Sequence, residues 1–184
     1  KEENKQQVYS TTAGILVVSS IIALIFGQIF SDVASSLLAG EHQSILKYSN
    51  YIIWIFLIVS LDTLCVLPFA KLRQEEKAKK FAIIKTINII LNIFFNIFFL
   101  VICPYLLSLN QFDWVTTLYS PEVGIGYIFI SNLLSSILTL LILSKDVYEL
   151  LKLNEFNFLL AKKMLKYSFP LIIAGLAYVT NEVV

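Results

Sequence analysis

The sequence predicts an all-α integral membrane protein built as a multi-span helical bundle, and three observations predict it. Hydrophobic residues make up 58% of the 184, and mean hydropathy is +0.79, well outside the soluble range. Apolar runs of about 20 residues, the length that crosses about 30 Å of hydrocarbon, recur along the chain. The basic residues gather in alternate connections between those runs, as in multi-pass membrane proteins.

The runs fall at 13–38, 51–70, 81–107 and 124–143, with a last one opening at 167 and still apolar at Val184. The first and third are long enough to tilt or to extend past the interface. No charged residue lies between Lys85 and Asp113, or between Glu122 and Lys145. The chain has no initiator methionine and no evident signal peptide, and its last run is unfinished, so an internal piece of a longer polypeptide is expected.

Of the 14 basic residues, only Lys47 falls on the second side of the membrane. Because cytoplasmic loops retain Lys and Arg, the amino-terminal end is expected in the cytoplasm of a cell whose inner membrane holds the protein. The loops 39–50 and 108–123, with Glu41, His42, Asp113 and Glu122, then face outward. Asp32 belongs near the outer end of the first span, and Trp114, Tyr105 and Tyr119 suit an aromatic belt beside it.

Two connections carry local predictions. The stretch "KLRQEEKAKK" places Glu75 and Glu76 four residues before Lys79 and Lys80, which predicts a helical link and a tight antiparallel hairpin of spans two and three. Residues 144–166 mix Leu, Phe and Met with Lys and Glu and predict an amphipathic cytoplasmic linker. The next helix is expected to open at "YSFP", with Ser168 as cap and Pro170 in its first turn.

Polar residues inside apolar runs are the candidate site. Lys85, Asn88, Asn92 and Asn96 fall within an arc of about 80° on one helix face and span about 16 Å of its length. Such a stripe either lines a wet cavity or hydrogen-bonds to a neighbouring helix. Lys85 is close enough to the interface to snorkel. Asp62 is about 12 Å from the cytoplasmic end of its span, so it must face the bundle interior, be protonated or have a cation nearby. It either pairs with Lys85 or takes part in coupling or substrate contact. Asn181 and Glu182 lie deep in the last run and complete the set.

Enzymatic chemistry has no support. The single histidine is in an outward loop, and there is no nucleophile elbow, phosphate loop or metal spacing. Cys65 and Cys103 lie in different spans without a CxxC, as buried free thiols do. No cofactor, no metal and no nucleic-acid partner is expected.

"LPFAKLRQEEKAKKFAIIKTINIILNIFFNIFFL", residues 67–100, resembles the polysaccharide-unit flippases, the Wzx-like branch of the MATE-related exporter superfamily (MOP). The resemblance lies in the span ending, the basic loop followed by FA-x-I-K, and the Asn-spaced helix. "YSFPLIIAGLAYVTNE", residues 167–182, is similar to the opening of that family's second half.

The resemblance implies part of the amino-terminal lobe of a MATE-like two-lobe transporter, an inter-lobe linker at 144–166, and the first helix of the second lobe from 167. It further implies a carrier of lipid-linked oligosaccharide or polysaccharide units working by alternating access, with a coupling cation, proton or sodium, and membrane lipid as further partners. Lys85, Asn88, Asn92 and Asn96 would then border the substrate path, amides meeting sugar hydroxyls and the ammonium meeting a diphosphate. Asp62, Asn181 and Glu182 would serve coupling or the cavity. A cation-coupled multidrug antiporter of the same fold would use Asp62 instead of Lys85. A membrane glycan polymerase or ligase would be expected to carry a larger outward loop with Arg or His, and a purely structural membrane subunit needs none of this.

Overall fold

A computed structural model describes residues 2–38, 45–109, 113–150 and 156–183. The described chain is helical with no strand, in the order α1 (Glu2–Leu38), α2 (Ile45–Gln74), α3 (Ala78–Ile97), a π turn (Phe98–Ile102), α4 (Cys103–Ser108), α5 (Asp113–Leu118), α6 (Gly126–Ile142), α7 (Ser144–Leu150) and α8 (Phe158–Val183). It is a membrane-embedded helical bundle. The segments Lys5–Val33, Ser49–Gln74 and Ala78–Ser108 are long and apolar enough to cross a membrane, and α6 with α7 adds a fourth if the bent pair counts as one span. Glu41 and His42 lie outside the described residues.

Helices in lipid gain little from apolar burial, so they associate through small residues that let backbones approach. The α1–α2 contact follows that rule. Ser20 and Ser60 each donate a hydroxyl to the other's backbone carbonyl at 3.3 and 3.2 Å. A Cβ on Gly27 would stand 2.6 Å from the Phe56 ring, so only glycine permits this approach. The opposite side of α1 carries exposed Ile22, Ile25, Ile29 and Val33, a surface suited to acyl chains.

α6 packs against both α2 and α3, and this corrects the expected tight hairpin. The polypeptide turns sharply between α2 and α3, but α6 then takes the place between them. The turn is not helical. Glu76 adopts φ 56° and breaks the register, so Glu75 pairs with Lys77 at 2.7 Å instead of Lys79. Lys80 binds Asp146 at 2.8 Å and Lys71 binds Glu149 at 3.3 Å, both on α7. Outside the spans, the hydrogen bond from Lys77 holds the Glu75 carboxyl below its ordinary pKa and raises that of Lys77.

α6 bends by 63° into α7 at Leu143, which is fully buried. Within the segment read as a linker, 144–166, α7 covers Ser144–Leu150, and residues from Phe158 onward are the first turns of α8. α8 begins at Phe158, where the side chain of Asn157 accepts the Leu160 N–H at 3.1 Å as an N-cap. Pro170 is inside this helix rather than in its first turn, because an asparagine upstream caps better than Ser168 could after a helical start had already formed. The missing proline N–H leaves one helical carbonyl without its donor, a defect that membrane helices tolerate.

The ends of the helices sort into two groups. Tyr9 donates to Gln74, and the Asn157 N–H donates to Thr11 at 3.2 Å, so the starts of α1 and α8 meet the end of α2. At the opposite end Ser49 donates to Asp32 at 3.2 Å and Tyr51 donates to the Val123 carbonyl at 2.9 Å. Asp32 thus sits at the junction of α1 and α2, as its position in the sequence suggests. Gly124, at φ 53°, provides the left-handed turn from which α6 restarts.

Candidate functional site

The polar side chains of α3 meet a polar face of α6. Ser131, Asn132, Ser135, Ser136 and Thr139 recur at helical spacing on α6, and all but Asn132 are buried. Asn88 donates its amide to Ser135 Oγ at 3.0 Å and to Thr139 Oγ1 at 2.7 Å, and Ser135 returns a bond to the Asn88 carbonyl at 2.9 Å. One turn further, Asn92 donates to Asn132 Oδ1 at 3.1 Å. Asn96 donates to the Asn92 side chain and carbonyl, both at 2.9 Å, and so stays within its own helix.

α2 reaches the same helix from the other flank. The Ser136 hydroxyl donates to Asp62 Oδ1 at 2.7 Å, and Ser136 and Asn132 are four residues apart on α6. A carboxylate from α2 and an amide from α3 are therefore held one turn apart on α6. Ser136 is buried while Asp62 and Asn132 are exposed, so the seam comes to the surface at these two groups. Among the described residues the Asn132 amide nitrogen donates to no protein group.

Of the two readings of Asp62, the ion pair with Lys85 is not formed. Asp62 takes its hydrogen bond from Ser136, and the Lys85 ammonium stands 4.5 Å from the centre of the Phe69 ring, a cation–π contact. The reason is the interposed α6: it supplies a hydroxyl to the carboxylate and leaves Lys85 to close over α2 nearer the turn. Phe69 is itself packed with Cys65, Leu72, Ile84 and Leu143, so Lys85 caps an apolar cluster.

The structure therefore joins Asp62, Asn88 and Asn92 through α6, ties Asn96 to Asn92 within α3, and leaves Lys85 one turn from Asn88 over Phe69. It does not bring in Asn181 and Glu182, which are exposed far along α8. α8 meets α1 near its own start, where Ala161 is buried, and its residues from Leu165 to Glu182 are all exposed. Sequence reading missed the α6 partners. The signal was present in "SNLLSSILT", whose polar residues repeat at the same helical interval as Asn88, Asn92 and Asn96. Both thiols are buried, Cys65 in the cluster under Lys85 and Cys103 beside Phe99 and Tyr127.

No protein-family model matches this chain, and neither a curated protein nor a solved structure matches it.

Proposed function

We propose that this protein is a membrane carrier that passes lipid-linked oligosaccharide or polysaccharide units across the cytoplasmic membrane by alternating access, with its amino-terminal end in the cytoplasm. One observation carries the reading. A seam of amides, hydroxyls and a carboxylate runs between otherwise apolar helices and opens to the surface at Asp62 and Asn132. Polar groups at membrane depth are costly, and an exposed carboxylate with a donor-rich amide beside it suits hydroxylated cargo. Lys85, on the turn side of the seam, offers a cation to a phosphorylated headgroup once it leaves Phe69. The separation of α8 from the four preceding spans suits a second bundle moving against the first.

Surface polysaccharide in cells lacking their own carrier tests this. The full protein should restore it, and Asn132→Leu or Lys85→Met should reduce it at least tenfold at unchanged membrane abundance. Full restoration by both variants would overturn the assignment.

A second reading is favoured by the bonds themselves. Each of the three α3 amides already has a partner inside the bundle, as packing contacts do. On that reading, replacing Asn88, Asn92 and Asn96 together lowers abundance and stability rather than export per molecule.

A further inference from the structure

The first turns of α8 carry a basic cluster that the polar seam does not use. Lys162, Lys163 and Lys166 are exposed and fall within an arc of about 100° on the helix. The centre of that arc lies about 150° round the helix from Ala161, the buried residue where α8 meets α1. The three ammonium groups therefore point away from the bundle.

Three lysines at this end of the molecule are matched by carboxylates, Lys71 by Glu149, Lys77 by Glu75 and Lys80 by Asp146. Lys79 and Lys145 form no ion pair among the described residues, but they lie on different helices, α3 and α7, rather than in one cluster. Among the described residues none of the α8 three forms an ion pair, and the sequence has no Asp or Glu from 156 to 181. The same turns expose Phe158, Leu159 and Tyr167, each more than 70% accessible. Lys163, Lys166 and Tyr167 border a shallow recess of about 460 Å³ closed below by Pro170 and Leu171. Unpaired ammonium groups beside exposed aromatic and aliphatic side chains, at the boundary where the helix becomes wholly apolar, match a layer of phosphates above acyl chains.

We propose that the start of α8 is a binding site for the phosphate of anionic phospholipid headgroups, formed by Lys162, Lys163 and Lys166. The aliphatic stems of the lysines and the ring of Tyr167 lie along the upper acyl region while the ammonium groups reach the phosphate plane. Because α8 meets the bundle near its start, lipid held there anchors that junction to the leaflet. The inference is independent of what the protein carries.

Native mass spectrometry of the whole protein, titrated with phosphatidylglycerol or with phosphatidylcholine of the same chains, tests it. Each lysine near an anionic surface is worth about a fivefold change in binding. Lys162→Gln/Lys163→Gln/Lys166→Gln should therefore weaken phosphatidylglycerol binding by about a hundredfold and leave phosphatidylcholine binding unchanged. The corresponding triple Arg variant should bind as the wild type does. A control that removes the same charge elsewhere, Lys77→Gln/Lys79→Gln/Lys145→Gln, should retain binding. Equal losses in control and test would overturn the site. So would equal affinity of the wild type for the two lipids, or displacement of phosphatidylglycerol by millimolar inorganic phosphate, which would mark a free-anion site.

Discussion

Asn88 contributes more to this bundle than Asn96 because its amide is satisfied by a different helix. Its two donors reach Ser135 and Thr139, whereas Asn96 bonds only to Asn92. Inter-helical hydrogen bonds in membranes are worth about 0.6–2 kcal/mol, and removing one partner strands the others. Asn88→Leu is expected to lower thermal stability in detergent clearly, and Asn96→Leu to change it little. Equal shifts in the two melting curves would refute this ranking. For Asp62 and Lys85, which share no hydrogen-bond partner, Asp62→Leu and Lys85→Met should have additive effects on stability, with coupling below about 0.5 kcal/mol. A double variant more stable than either single would instead reveal an ion pair.

At the level of elements, helix ends here are set by single residues. Glu76 holds a left-handed conformation that costs a residue with a Cβ about 1–2 kcal/mol. Glu76→Gly is expected to raise the melting temperature by removing that cost, and Glu76→Val to lower it. The adjoining pair responds to pH. The folded Glu75 carboxyl titrates below its unfolded value, so its contribution is present above the unfolded pKa and is lost as pH falls through the depressed one. Titration of Glu75 by NMR should show the low value in the wild type and a return toward the ordinary carboxylate range in Lys77→Gln. Pro104 explains the π turn: its ring crowds the preceding turn, and the Cys103 N–H reaches back five residues to Phe98.

For the molecule as a whole, the clustering of basic residues at one end has a topological consequence. Lys71 and Lys80 meet α7 there, and the starts of α1 and α8 join them. Cysteines placed at Lys77 and at Ser120, one at each end, should be labelled differently in intact cells by an impermeant maleimide. Ser120→Cys should react and Lys77→Cys should react only after permeabilisation if, as the charge bias of membrane proteins predicts, the basic end faces the cytoplasm. The reverse pattern would invert the bundle.

The sequence by itself determined the helical membrane class and the polar face of α3, and its runs at 13–38, 51–70 and 81–107 overlap the three helices long and apolar enough to cross a membrane. These depend on local properties: run length, charge placement and the 3.6-residue repeat. The tertiary structure decided which helix that face meets. Periodicity fixes the direction of Asn88 and Asn92 around their own axis but carries no information about neighbours, and chain order suggested α2 where α6 is found. It also decided the partners of Asp62 and Lys85, because an ion pair requires two side chains to share a space that α6 fills. The start of α8 at Phe158 turned on the cap bond made by Asn157, a contact of one side chain with one backbone N–H that hydropathy does not register.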